Sequence, residues 1–549
     1  MKRGLFFLVG SLVFMLLVIT GLARPEAPPA QEETDPNWQS IAPGIHYRQY
    51  HLPDPNNVFV ARMEISRTNV TLESSIASGY LASGAETVRS MAARYDQALS
   101  QWPVSDAWGS ARSDVIVAIN GDYFTGSGLP LNGMVQGGWY IKRFNDYGGR
   151  TGFGWKFSRT PFIGECVVHP AEKQFVQFAD GSTQWISGIN VARGDNQLII
   201  YTPQYDMHTP TDGSGVEVLV ALSQPAIIYP APKAFTGTIV DIRPNQGATT
   251  MQFDQAVLSA TGNAADDLLA RVTPGATISI SQEIASRQEW DCDAPLADVD
   301  WSKTYASIGG DYYFLKDGQI KTYACSSGYC NREPRTAIVY NDQYVYFIVV
   351  DGRDLIDSIG MTVGELSIFA RDVLSATHGV TQDGGGSSTM VINGEVVNNT
   401  FCNNAGCVSK IYMPLILKGN APQSAAQNQP YPPAGDGPQS HQSSNYTQPA
   451  ATTDRGVANG LMMVVVEPEV RSSQTWGEGQ AVVVDTTANL RLGPGTNYAN
   501  LALIQPLTPG ILQPHPLNGV QAKGHFWWKV RLDSGQEGWL VEDALIPSP

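Results

Sequence analysis

Charge is scarce in this chain, and positive charge is scarcer still. Only 16% of the 549 residues are charged, and 35 Lys and Arg face 51 Asp and Glu, a formal net charge of −16. So acidic a chain repels phosphate, which argues against a nucleic-acid partner. An anionic substrate would have to be met by a few placed arginines. Familiar catalytic signatures are missing too. "DGGGSST" has neither the lysine nor the spacing of a Walker A loop. There is no H-E-x-x-H, no G-x-S-x-G elbow and no EF-hand loop. What is present is a composition for packing: 42% hydrophobic and 9% aromatic residues exclude wholesale disorder. The 54 glycines and 35 prolines, about one residue in six, fit a chain rich in turns and strands.

The N-terminus pairs a basic start, Lys2 and Arg3, with an apolar run from Gly4 to Ala23 that ends in small residues. It reads as a signal peptide (1–23) or an uncleaved membrane anchor, followed by a polar linker (24–40). Either way the remainder is expected to be secreted or extracytoplasmic, with membrane contact only through residues 4–23. No cysteine follows the run, so a lipoprotein anchor is not indicated. The six cysteines suit disulfides in an exported chain. Cys325/Cys330 and Cys402/Cys407 share the same short gap and are expected to pair locally, leaving Cys166 with Cys292.

Ordered sequence runs to about Lys418. A Pro- and Gln-rich stretch at 419–453, with Asp436 as its single charge, then reads as disordered. Strand-like sequence returns at "GLMMVVV", a break follows at 468–480, and a compact unit occupies 481–549. That unit has short β runs between Gly-Pro-Gly, Pro-Gly and Asp-Ser-Gly turns, as in a small barrel. "ANLRLGPGTNY", "WWKVRL" and "GWLVEDAL" resemble the bacterial SH3 (SH3b) family. The resemblance implies an SH3-like barrel that binds cell-wall material. Trp527, Trp528 and Trp539 are then core residues or, for a ring or two, a ligand platform.

Within the large region, 41–467, "VIVAIN" and "YVYFIVV" read as buried strands that break into "NGDYF" and "DGRD". In "TQDGGGSSTMVINGEVVN", Asn393-Gly394 between apolar halves predicts a type I′ hairpin. Gly384, Gly385 and Gly386 let backbone N–H groups approach a ligand, with Ser387 and Ser388 adding hydroxyls. Between them, Thr362 and Glu365 form a capping box before a helix with Leu366, Phe369, Val373 and Leu374 on one side and Gly379 placed to end it. Asp122, Asp351 and Asp383 each stand where an apolar run meets a turn.

Six segments in order, "AINGDYF", "GINVARGDNQLIIYTP", "GGDYYFLKDGQI", "REPRTAIVY", "YFIVVDGRDLIDSIGMTVGEL" and "TQDGGGSSTMVINGEVVN", together resemble the phosphodiester glycosidase family. "DRGVANGLMMV" resembles its closing strand, which makes 419–453 an insertion in the catalytic domain. Thr381-Gln382 and Val339 depart from the family's usual residues without removing an ionisable group. The resemblance implies an α+β, β-rich mixed-sheet domain that hydrolyses the C1–O bond of a sugar-1-phosphodiester, as on an α-N-acetylglucosamine ester or an envelope polysaccharide. The phosphate leaves as a stable anion, so the larger demand is electrostatic. Arg193, Arg335 and Arg353 are expected on the phosphate, joined by Asn120 and the glycine turn. Asp383, Asp351 and Asp122 are the candidate catalytic carboxylates. No cofactor is called for; the aspartates could hold Ca²⁺, but their spacings specify no such site. The rival reading is a non-catalytic surface protein that adheres through the SH3b module.

Overall fold

The structure is a computed structural model that describes residues 37–81, 84–102, 108–109, 111–144, 151–225, 228, 235–287, 292–325, 328–407, 454–467 and 472–549. The N-terminal apolar run and the 419–453 insertion lie outside the described residues. Among the described residues, no helix is long and apolar enough to cross a membrane. Residues Gln39–Pro549 form one unit, and strands are the main elements among its described residues.

The apolar runs "VIVAIN" and "YVYFIVV" become central strands, as continuous burial requires. Tyr344–Val350 lies between Asn56–Glu64 and Arg335–Tyr340 in a sheet of eight that continues through His378–Thr381 and Tyr313–Lys316. Ala111–Asn120 lies between Met390–Ile392 and Asn459–Glu467 in a second sheet, with Val70–Ile76 beyond. A third sheet carries Thr151–Lys156 and Thr304–Gly310 at its centre. One apolar core joins these three sheets to the helix Val88–Tyr95, with Trp102, Phe153, Trp155 and Phe347 among its members. Truncating a buried ring of this kind to alanine typically costs about 3–5 kcal/mol.

A fourth sheet of eight strands, with Thr183–Trp185 and Gly188–Ile189 at its edges, packs on the helix Gly262–Leu269 around its own core. The fourth sheet is mixed through a single parallel pair. Among the described residues, the other neighbouring strands are antiparallel, and only Gly188–Ile189 against Leu198–Tyr201 is parallel. Short hairpin connections, unlike helical crossovers, leave successive strands antiparallel.

Asn393 and Gly394 both adopt positive φ, 48° and 82°, as a type I′ turn requires. The helix Val363–Asp372 begins at the capping box, with Thr362 Oγ1 accepting from the Glu365 amide at 3.1 Å and the Thr362 amide donating to Glu365 Oε2 at 2.9 Å. Its end differs from expectation. Val373 is half exposed, Ser375 takes the positive φ, and Gly379 sits inside the strand His378–Thr381. A Cβ on Gly379 would stand 2.7 Å from the Phe314 ring, so close packing within the sheet accounts for that glycine. The three cystines are Cys166–Cys292, Cys325–Cys330 and Cys402–Cys407.

The C-terminal residues form a small antiparallel sheet of eight strands, from Ala481–Val484 to Leu545–Pro547, over a core that includes Val482, Leu490, Trp528 and Leu540. Trp527, Trp528 and Trp539 are all buried, which corrects the idea that one or two of these rings stand exposed as a ligand platform. Phe253 of the large region packs among Leu517, Val520, Trp527 and Trp539. Polar contacts pin the same face: Lys523 Nζ donates to the Ala93 carbonyl at 2.8 Å, and His515 Nε2 lies 3.1 Å from Asp254 Oδ2.

Candidate active site

The end of Ala111–Asn120 organises the site. Asn120 is fully buried, and its amide ties three segments together. Nδ2 donates to the Asp383 carbonyl at 2.7 Å, while Oδ1 accepts from Thr336 Oγ1 at 2.7 Å and from the Thr389 amide at 3.1 Å. The Asp383 amide donates to the Gly121 carbonyl and the Gln382 amide to the Thr336 carbonyl, at 2.9 and 2.8 Å. Gly121 has no room for a side chain, because a Cβ there would fall 2.2 Å from Ile308 and 2.5 Å from Asn459 Oδ1. The turn "NGD" is thus clamped to the turn "DGGGSS", which joins His378–Thr381 of the first sheet to Met390–Ile392 of the second.

The three glycines of that second turn are needed for packing. Cβ atoms on Gly384, Gly385 and Gly386 would come within 2.8 Å of the Pro334 carbonyl, 3.0 Å of Arg353 Nη2 and 2.5 Å of Asn404 Oδ1. Gly385 also adopts φ +60° and donates its amide to the Pro334 carbonyl. Ser387 and Ser388 are fully buried, and their hydroxyls find no hydrogen-bond partner among the described residues.

Sequence named Asp383, Asp351 and Asp122 as the candidate carboxylates, and the structure gives each different surroundings. Asp122, 1% exposed, receives the Asn132 amide at 2.7 Å and Asn132 Nδ2 at 3.0 Å, one on each oxygen. Burial raises its pKa to about 6 against the pull of Asn132 and Lys142. Asp351, 3% exposed, receives Asn398 Nδ2 at 2.9 Å and Asn403 Nδ2 at 3.0 Å on one oxygen and the Asn399 amide at 2.9 Å on the other. Because Asn398 and Asn403 also donate to the Ser388 carbonyl, Asp351 fastens the 398–403 segment beneath the glycine turn. Burial raises its pKa, and the three donors counter the rise. Carboxylates closed in this way hold structure and have no free face for a substrate. Asp122 and Asp351 are thus each engaged by donors of the fold on both oxygens.

Asp383 is different: it is half-buried at the surface of the turn. Burial raises its pKa to about 6, while Ser387, Arg455 and the Gly384 amide pull it down. Ser387 acts here by proximity, since its hydroxyl makes no well-directed hydrogen bond. Beside Asp383 stands Tyr123, whose hydroxyl is pushed far up by burial and by the charges of Asp311 and Asp383, with Arg335 opposing.

Two of the three expected arginines reach this neighbourhood. Arg335 is buried, with Nε on the Met361 carbonyl at 2.9 Å and Nη2 on the Asn331 carbonyl at 2.6 Å. Burial lowers its pKa, and Tyr123, Glu333, Tyr312 and Asp311 oppose that. Arg353 lies over Gly385, with Nε on Glu333 Oε2 at 2.9 Å and Nη1 on the Asn403 carbonyl at 2.7 Å; it does not pair with Asp351. Arg193 does not join them, which corrects its expected place on the phosphate. It follows a strand of the fourth sheet, and its guanidinium is occupied there by Ser259 Oγ at 2.7 Å, the Ser214 carbonyl at 2.5 Å and Asp212 at 3.4 Å. Glu365 serves the helix cap and pairs with Arg332.

Sequence reasoning missed Tyr123, Asp311, Thr336, Arg455 and Asn459. One signal was there to be read: the triplet Gly-Asp-Tyr occurs at 121–123 and again at 310–312. The tyrosine of the first and the aspartate of the second share the neighbourhood of Asp383. Among the described residues, Asp354 with Cys402 and Cys407 makes the single grouping of metal-ligand types, and both sulfurs belong to a disulfide.

Residues 231–412 match the phosphodiester glycosidase family model. That span holds Asp311, Arg335, Asp351, Arg353 and Asp383, and leaves Asn120, Tyr123 and Arg193 outside. No curated protein matches the chain. Among solved structures, a hypothetical protein from Synechocystis is 13% identical with a TM-score of 0.46, over 80% of this chain and 65% of that one, just short of two thirds of its length. An exported protein of Burkholderia pseudomallei K96243 is 18% identical with a TM-score of 0.43, over 74% of each chain. The catalytic domain of zebrafish N-acetylglucosamine-1-phosphodiester alpha-N-acetylglucosaminidase, auto-inhibited by its pro-peptide, is 14% identical with a TM-score of 0.28, over 67% and 77%. None of these three likenesses is close enough to carry a statement about this chain.

Proposed function

We propose that the protein is an exported glycosidase that cleaves the C1–O bond of a sugar-1-phosphodiester. The observation that carries this reading is Asp383. It is half-buried where the other two candidate carboxylates are buried, it stands beside Tyr123 and Arg455, and it falls inside the span matched by the family model. A phosphate-ester leaving group departs without strong protonation, so the work lies in holding its charge and in stabilising an oxocarbenium-like sugar. Arg353, over the glycine turn, and Arg335, beside Tyr123, supply positive charge near the turn. Ionised Asp383 faces the developing positive charge at C1 or directs the attacking water.

An envelope or extracellular polysaccharide phosphodiester suits a chain with three disulfides and an apolar N-terminal run. The C-terminal sheet, read as an SH3b module, would supply attachment to cell-wall material. Incubation with UDP-N-acetylglucosamine or a simple sugar-1-phosphate ester tests the reading. Free sugar is expected from the wild type and not from Asp383→Asn. Enrichment on cell walls with no sugar released from any such ester would favour the adhesion reading instead.

A further inference from the structure

A second region holds a carboxyl group in a setting the proposed reaction does not use. A cavity of about 120 Å³ lies where three parts of the molecule meet. Glu73 and Ser100 come from the second sheet, Pro203 and Gln204 from the fourth-sheet region, and Leu492 and Tyr498 from the C-terminal sheet. Glu73, 8% exposed, lines it from the strand Val70–Ile76. Its Oε1 accepts from Ser100 Oγ at 3.0 Å and from the Tyr305 hydroxyl. Among the described residues, no lysine, arginine or histidine comes within ion-pair distance of Glu73. Arg94 is the other charged residue of the lining, and it is already committed to Glu86 and to the Ile76 carbonyl. Aromatic side chains form one part of the remaining wall, beside the amides of Gln101, Gln136, Gln204 and Asn497. Trp108 packs against Trp139 and Phe253 with ring centroids 5.6 and 5.4 Å apart, and Tyr80, Tyr95 and Tyr498 complete it.

We propose that this cavity binds a small organic ammonium ion, with Glu73 as its counter-ion and the aromatic wall around its alkyl part. A carboxylate removed from water without a cation is costly, and a cation brought to it restores the balance. Aromatic faces add attraction for an ammonium group and repel an anion. A neutral ligand of equal size leaves the carboxylate uncompensated. The site is composite, because Leu492 and Tyr498 close it from the C-terminal sheet.

A proton competes for the same carboxylate, since burial lifts Glu73 to about 7 against its bonds from Tyr305 and Ser100. The titratable groups around it are Tyr305 from the third sheet and, across the cavity, Tyr80, Tyr95, Tyr498 and the Arg94–Glu86 pair. Calorimetric titration of the full chain with n-butylammonium chloride, and with n-butanol as the neutral isostere, tests the proposal. Saturable binding is expected for the amine and at least tenfold weaker binding for the alcohol. Amine affinity should fall about tenfold from pH 8 to pH 6, as the fraction of ionised Glu73 falls. Glu73→Gln should weaken amine binding at least tenfold, and Asp383→Asn should leave it unchanged. Absence of amine binding, equal binding of butanol, or full binding by Glu73→Gln would overturn the proposal. If Glu73→Gln does not fold, the alcohol contrast and the pH dependence of the wild type decide.

Discussion

The glycine turn and the aromatic cavity each centre on a carboxyl group that burial has moved toward neutrality, Asp383 to about 6 and Glu73 to about 7. The strand Ala111–Asn120 links them, with Asn120 under the turn and Ser113 in the lining of the cavity. Their surroundings differ in charge. Arg455 acts on Asp383, with Arg335 beside Tyr123 and Arg353 over Gly385, whereas Glu73 has hydroxyl partners and, among the described residues, no cation at ion-pair distance. Burial alone therefore does not define a site. A carboxylate among arginines fits an anionic substrate that develops positive charge at one atom, and an uncompensated one fits a cation.

Substitutions can break this contrast. The largest effect is expected from Asp383→Asn, which should lower sugar release by about 10²–10³-fold or more, on the scale of losing a principal electrostatic group. Next, Arg335→Lys keeps the charge but loses the planar fork that three backbone carbonyls now grip, and should raise KM about tenfold with a smaller change in kcat. Because the ionised form of Asp383 is the working one, kcat should fall as pH drops below about 6, in a pH-rate profile of the wild type. The smallest effect lies in stability at the cavity. Glu73 has a folded pKa of about 7 against an ordinary 4.5, so the folded state holds its proton more tightly. Its contribution is fully present below about 4.5 and is lost as pH rises through 7. Thermal melts of wild type and Glu73→Gln should therefore diverge between these pH values, with the variant gaining relative stability as pH rises.

Much of the scaffold was legible because it rests on local rules. The central strands, the Asn393-Gly394 turn, the capping box at Thr362 and the two short cystine loops depend on residues close in sequence. What was not legible depends on which turns meet. Asp122, Asp351 and Asp383 look alike along the chain, and only the asparagines brought from 132 and 398–403 distinguish closed carboxylates from the open one. Tyr123 and Asp311 belong to distant turns joined through the sheets, and Arg193 was misplaced because its segment builds the fourth sheet. Gly379 looked like a helix stop and is a packing glycine facing Phe314.

The central claim is that Asp383 works on substrate while Asp122 holds the fold. It is tested most directly by assaying Asp383→Asn and Asp122→Asn side by side for sugar release per folded molecule, with denaturant unfolding of each. Asp383→Asn should unfold like the wild type and release almost no sugar. Asp122→Asn should lose about 1–3 kcal/mol of stability, the cost of disrupting a buried hydrogen-bonded group, with release per folded molecule within tenfold of the wild type. Equal losses of release in the two variants, or near wild-type release by folded Asp383→Asn, would contradict the account.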